Sequence, residues 1–160
     1  MDVIEFLNGV MTLFIAGFVA FIGYQQFKLN KKLATLDSQK IKLELYEKRF
    51  RIFTETKKIL HKINQDSRID LIELREFRFN TNERLFLFEN DINSLIDQIK
   101  TNAIELNHST DDLKNLSRFP VGSYEREQQI NKDSELTRWF SNEYENIETR
   151  FLKYLDFKKL

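Results

Sequence analysis

The chain has 160 residues, enough for one domain or for one domain with a membrane anchor. Its four glycines, one proline, 41% hydrophobic and 31% charged residues exclude a disordered, collagen-like or sandwich-type protein, and they favour long helices. Cysteine is absent and there are two histidines, which excludes disulfides, a Cys nucleophile and a Cys- or His-based metal cluster. We therefore expect no metal and no cofactor.

The net charge of zero hides an uneven distribution. Residues 1–24 carry a charge of −2 without any Lys or Arg, residues 25–63 carry +7, and residues 64–160 carry −5. A basic block next to an uncharged apolar block is typical of a membrane protein.

The segment Phe6–Tyr24 is predicted to be a transmembrane helix. It is uncharged, and about 20 apolar residues are enough to cross a hydrocarbon core of about 30 Å. A cleaved signal peptide would need a basic start and a small-residue cleavage site. The alternative of a buried core helix is weaker, because the segment is apolar on all faces. The sequence therefore predicts an uncleaved anchor.

The charges beside this segment predict its orientation. Lys28, Lys31 and Lys32 follow the span, whereas Asp2 and Glu5 precede it. Because Lys and Arg remain on the cytoplasmic side, the N-terminus is expected outside and the rest of the chain in the cytoplasm, as in a bacterial inner-membrane protein. The three lysines are expected to contact anionic lipid head groups.

Small residues recur along one side of the predicted span. Gly9, Ala16 and Gly23 are spaced by seven, and small residues let transmembrane backbones approach closely. We expect a homo-oligomer, although Gly and Ala are also frequent in anchors that remain monomeric. The candidates for packing or lining the assembly are Asn8, Gly9, Thr12, Ala16, Ala20 and Gly23.

The pattern after the span predicts helices throughout. Residues 25–63 contain no Gly or Pro, and Asp37-Ser38 is the one place where a cap could interrupt a long juxtamembrane helix. A shorter helix is predicted at Ile69–Phe79, followed by a turn at Asn80–Asn82. The apolar run Leu85–Phe88 after the turn is compatible with a β-hairpin, but helical surroundings favour helix–turn–helix.

Two more amphipathic helices complete the prediction. One carries Ile92, Ile96, Ile99, Ala103 and Leu106 at helical spacing, and a loop with Pro120 and Gly122 is predicted at 117–123. The apolar face of the last helix consists of Leu136, Phe140, Tyr144, Ile147, Phe151 and Leu155.

The predicted fold is all-α, with an N-terminal transmembrane helix and a cytoplasmic three- to four-helix bundle in which the phenylalanines form the core. Its parts are a short outer N-terminus (1–5), the span (6–24), a juxtamembrane long helix (25–63) and the remaining bundle (64–160).

The sequence contains none of the common catalytic motifs, and we expect no enzyme. Lys57, Lys58 and Lys62 are candidates for contact with phosphate or RNA. The alternative is a solvated face paired within its own helix, as Glu44 with Lys48 and Glu47 with Arg51 suggest.

Three features resemble a known group of small bacterial membrane proteins. They are the stretch Leu43–Phe53 (LELYEKRFRIF), the run Leu85–Phe88 and a terminal helix that ends near Phe151–Leu155, all behind an N-terminal anchor. The chain is similar over most of its length to the membrane accessory proteins of type VI-B CRISPR–Cas systems. The resemblance implies a divergent HEPN-like helical domain, assembly into membrane pores and enhancement of antiviral defence.

The sequence departs from the catalytic HEPN pattern, in which an Arg precedes a His by four to six residues. No Arg stands at this distance before His61 or His108, and Lys57 lies four residues before His61. Ribonuclease activity is therefore not expected.

Three functions remain open from the sequence. The first is an oligomeric, pore-forming accessory protein in contact with lipid and with a cytoplasmic partner such as an RNA-guided nuclease. The second is a passive anchor or scaffold for such a partner, and the third is a membrane-tethered RNA-binding protein.

Overall fold

The computed structural model describes residues 2–114 and 120–157. Over these residues the regular structure is α-helical and contains no strand, which confirms the all-α prediction. The chain divides into two compact units, Met1–Leu43 and Glu44–Leu160. The helices are α1 (Val3–Asp66), α2 (Leu71–Asn80), α3 (Arg84–Leu87), α4 (Asn90–Lys114) and α5 (Tyr124–Leu155).

The first unit is formed by the beginning of α1. The helix continues from the predicted span without a break, and Asp37-Ser38, the one place where a cap could interrupt it, lies inside the helix. Without a nearby Gly or Pro, Asp and Ser lower helix stability by less than about 0.7 kcal/mol each, which is too little to end a helix. The division between the two units after residue 43 falls inside α1.

The second unit is a helical bundle in which neighbouring helices run antiparallel. The part of α1 from residue 44 onward pairs with α5: the rings of Phe53 and Phe151 lie 5.4 Å apart, and Asn64 Nδ2 donates to the Phe140 carbonyl at 3.5 Å. The pairing of α4 with α5 joins Asp91 to Tyr154 at one end and Ser109 to Gln129 at the other.

The short helices α2 and α3 form the remaining side of the bundle. Asp70 caps α2, because its carboxylate accepts from the Ile72 amide at 2.9 Å, and this explains why the helix starts two residues later than predicted. The turn near Asn80–Asn82 is confirmed, and the one-turn α3 shows that the hairpin alternative is wrong.

Apolar side chains from all five helices or their ends form one core. Phe140 and Phe151 are fully buried together with Ile52, Leu60 and Ile96. The prediction that the phenylalanines form the core holds for these two and for Phe77 and Phe88, whereas Phe79 and Phe86 are 80% and 90% exposed. Both lie beside the α2–α3 turn, where the short elements bury only one side.

The last helix buries most of its predicted face. Leu136 and Ile147 are buried, Tyr144 and Leu155 are half-buried, and Tyr154 next to this face is only 6% exposed. The predicted loop ends at Ser123, which caps α5 by accepting from the Arg126 amide at 3.3 Å. The first three residues of that loop, 117–119, lie outside the described residues.

Candidate membrane anchor and cationic groove

The segment Phe6–Tyr24 lies within α1 and is exposed nearly everywhere. Its most apolar 18-residue window has a mean hydropathy of 2.0, and none of that window is buried inside the protein. By length and composition, α1 is the one helix in the described part of the chain that could cross a membrane. At 1.5 Å per residue, the 19 residues extend about 28 Å, close to the thickness of a hydrocarbon core.

The structure places five of the predicted packing residues on one side of α1. Gly9, Thr12, Ala16, Ala20 and Gly23 fall within an arc of about 80°, and we call them the small-residue face. A Cβ atom added to either glycine would meet nothing within 4 Å. The single chain therefore leaves this face open, and Ala16 and Ala20 form a small-x-x-x-small pair suited to close helix packing.

The sixth packing candidate, Asn8, lies at the edge of this face, about 100° from Gly9. The Thr12 hydroxyl donates to the Asn8 carbonyl oxygen at 2.8 Å, so its proton is used inside the helix. The Asn8 side chain is exposed.

The predicted head-group contacts Lys28, Lys31 and Lys32 are exposed on α1. They lie about 6 to 12 Å along the helix axis beyond Tyr24, within the reach of a long, flexible lysine side chain to a lipid surface.

An apolar stripe follows these lysines on the same helix. Leu29, Leu33, Leu36 and Leu43, which we call the leucine stripe, are each 47% to 57% exposed. They are spaced by four, three and seven residues along a regular helix, and the described chain does not cover them.

Two of the three lysines proposed to contact phosphate or RNA form ion pairs with acidic residues of other helices. Lys57 Nζ lies 2.6 Å from Glu148 Oε1, and Lys62 binds Glu73. The hydrogen bond that Lys57 donates to Glu148 raises the pKa of Lys57, and the bond that Lys62 donates to Glu73 raises the pKa of Lys62. Lys58 is exposed to solvent.

The two histidines lie in different parts of the bundle. His61 packs against the Tyr144 ring, with centroids 5.6 Å apart. His108 lines a shallow hollow together with Arg68 and Asn107. No group of three or more potential metal ligands occurs in residues 2–114 and 120–157.

The structure also reveals a site that the sequence did not predict. A groove between α2, α3 and α4 is lined by four cationic side chains and one carboxylate, and we call it the cationic groove: Arg75, Arg78, Arg84, Asp97 and Lys100. Its volume is about 440 Å³. The only hint in the sequence was the spacing of Arg75 and Arg78, which places both on one side of a helix.

Arg84 is the fixed element of the cationic groove. Its side chain is 9% exposed, Nη2 lies 2.5 Å from Asp97 Oδ1, and Nη1 donates to the Asn93 carbonyl at 2.5 Å. Burial opposes ionisation of Asp97, but the hydrogen bond and charge of Arg84, assisted by Lys100, lower its pKa. Asp97 is therefore ionised at neutral pH.

Lys100 lies deeper than an ordinary surface lysine. Its side chain is 19% exposed, and its Nζ is 3.6 Å from Asp97 Oδ1. Burial lowers the pKa of Lys100, and the charges of Arg84 and Arg78 lower it further against the opposing effect of Asp97. The groove thus contains more positive charge than its own carboxylate balances.

The chain matches no protein-family model, no curated protein and no solved structure. The resemblance to the type VI-B accessory proteins therefore stays a prediction.

Proposed function

We propose that the protein is a single-pass membrane accessory protein that self-associates through α1 and changes membrane permeability when assembled. The observation that carries this proposal is the exposure of α1, whose small-residue face and leucine stripe are both uncovered in a single chain. Lipid would surround Phe6–Tyr24, and there the small-residue face allows close backbone packing. The leucine stripe would pack against the same stripe of another copy and would thereby be removed from water.

The charge distribution supports a cytoplasmic position for the bundle. Lys28, Lys31 and Lys32 are exposed on α1 just beyond the span, where positive charge marks the cytoplasmic side. The bacterial inner membrane and a role in CRISPR-associated antiviral defence follow from the resemblance. In that setting the cytoplasmic partner would be an RNA-guided nuclease.

The first test is the protein mass in mild detergent, measured by light scattering with the detergent contribution subtracted. We expect a uniform oligomer larger than a dimer. A monomer or dimer would contradict the pore and would favour the passive scaffold, which needs no assembly in the membrane.

A second test links assembly to permeability. Replacing Gly9, Ala16 and Gly23 together by leucine adds bulk to the small-residue face and is expected to reduce both the oligomer mass and dye leakage from liposomes. A matched control replaces Met11, Phe18 and Ile22 by leucine, because these residues lie on the opposite side of the helix. If the first variant assembled and leaked like the wild type, the small-residue face would not be the interface.

The RNA-binding alternative draws little support from the bundle, because Lys57 and Lys62 are engaged with Glu148 and Glu73. That alternative requires salt-sensitive RNA binding that weakens when Lys57, Lys58 and Lys62 are neutralised together. We expect no such binding.

A further inference from the structure

The cationic groove has the charge of an anion site. Four cations and one carboxylate line it, and within the described residues neither Arg75 nor Arg78 has an acidic side chain at ion-pair distance. Like charges three residues apart on a helix repel each other by a few tenths of a kcal/mol. A bound anion would balance this charge, whereas an empty groove leaves it to solvent.

The charge of the groove favours phosphate over a carboxylate. Three of the four cations are arginines, whose planar pairs of donors match the oxygens of either anion. A terminal phosphate carries a charge of about −1.5 to −2 at neutral pH, so it compensates more of the excess than a carboxylate would.

The groove is also partly apolar, and its volume exceeds that of a phosphate group alone. Leu74, Leu85 and Ile104 line it beside the cations, and its volume of about 440 Å³ falls in the usual range for small-molecule sites, about 300 to 1,000 Å³. A ligand that fills it would therefore carry an apolar or aromatic body in addition to the anion.

The floor of the groove is held by contacts within the protein. Arg84 is held between Asp97 and the Asn93 carbonyl, and Asp97 also lies near Lys100. Arg75 and Arg78, in contrast, are exposed on α2 and free to reach an incoming phosphate. A floor held by hydrogen bonds with exposed arginines at the rim is a suitable arrangement for binding a small anion.

We propose that the cationic groove binds a phosphate ester of nucleotide size, with Arg75 and Arg78 contacting the phosphate beside Arg84 and Lys100. This site is independent of membrane assembly, since all of its residues lie in α2, α3 and α4.

The direct test is calorimetric titration of the full chain in an uncharged detergent with adenosine monophosphate as the probe. We expect binding that weakens as salt increases. The variant Arg75→Gln/Arg78→Gln should weaken it at least tenfold. The control Arg126→Gln/Arg138→Gln removes the same charge from α5 and should change affinity less than twofold.

Two further binding experiments identify which kind of molecule supplies the phosphate. Inorganic phosphate tests whether the anion alone suffices, and nanodiscs with or without phosphatidic acid test a lipid head group. Tighter binding of adenosine monophosphate than of inorganic phosphate would support a soluble ester as the ligand. Binding that requires phosphatidic acid would instead support a lipid head group as the source of the phosphate ester. The absence of binding in every arm, or equal losses in both double variants, would overturn the proposal.

A protection experiment on the wild-type protein tests the same site without relying on the folding of any variant. Acetylation of Lys100, followed by mass spectrometry, should slow at least threefold when the probe is bound, because the amine lies in the groove. Acetylation of Lys57 on another side of the bundle should not change. Unaltered acetylation of Lys100 at saturating probe would contradict binding in this groove.

Discussion

Arg49 and Tyr154 join the first and last helices of the bundle. Arg49 Nη1 donates to the Tyr154 carbonyl oxygen at 3.2 Å, and its guanidinium lies 5.5 Å from the centre of the Tyr154 ring. The same guanidinium donates through Nε to the Leu87 carbonyl at 2.9 Å. One side chain therefore ties α1 to the ends of both α3 and α5.

Loss of this tie should destabilise the bundle. Arg49→Met leaves two carbonyl groups without a charged donor, and we expect a loss of about 1 to 3 kcal/mol in unfolding free energy, measured by urea unfolding of the full chain in detergent. Arg51→Met is the matched control, because the Arg51–Glu83 pair is 57% and 52% exposed and should contribute under about 1 kcal/mol. Equal losses in the two variants would contradict the special role of Arg49.

A second prediction concerns the buried carboxylate of Glu143. Oε1 accepts from Arg150 at 2.7 Å, but Oε2 is buried without a partner among the described residues. Glu143→Leu removes this desolvation cost and leaves the half-exposed Arg150 in water, so the melting temperature should rise. Arg150→Met leaves the buried carboxylate without its cation and should lower the melting temperature. Shifts of the same sign in both variants would refute this account.

A third prediction follows from the acidic residues of α4. Hydrogen bonds from Tyr154 and Lys153 outweigh the effect of burial and lower the pKa of Asp91, as Arg84 does for Asp97. Both pKa values lie below the ordinary 3.8, so the unfolded chain takes up protons first as the pH falls. The stabilisation that the two ionised carboxylates provide is fully present above the unfolded-state pKa, and it is lost as the pH falls through their folded-state pKa values.

Unfolding free energies measured from pH 7 to pH 3 should therefore decrease at the acidic end. The variant Asp91→Asn/Asp97→Asn should be less stable at pH 7 and should show a flatter acidic decrease. An unchanged pH dependence would mean that neither carboxylate is responsible.

The lysines provide a fourth prediction. Burial and neighbouring arginines lower the pKa of Lys100, whereas the hydrogen bond with Glu148 raises that of Lys57. The pH at which acetylation reaches half its maximal rate should therefore be lower for Lys100 than for Lys57. Comparing midpoints instead of absolute rates corrects for the smaller exposure of Lys100. The reverse order would contradict the charge arrangement of the cationic groove.

The local pattern of the chain predicted most of the fold. Few breakers and regular apolar spacing predicted the helices, and Asn80–Asn82 predicted the turn after α2. The later start of α2 has a local cause, since a capping residue such as Asp70 can lie inside a helix or before one depending on which backbone bonds it satisfies.

The sequence by itself determined the all-helical class and the exposed apolar character of Phe6–Tyr24, because both depend on composition and on spacing within one helix. Only the tertiary structure decided which charges meet. It paired Lys57 with Glu148, buried Glu143 on an otherwise apolar face, and brought Arg75 and Arg78 of α2 together with Arg84 and Lys100. These residues are far apart in the chain or do not take part in its apolar spacing pattern. Their electrostatic interaction energies depend on distance and burial, which only the packing of the helices sets.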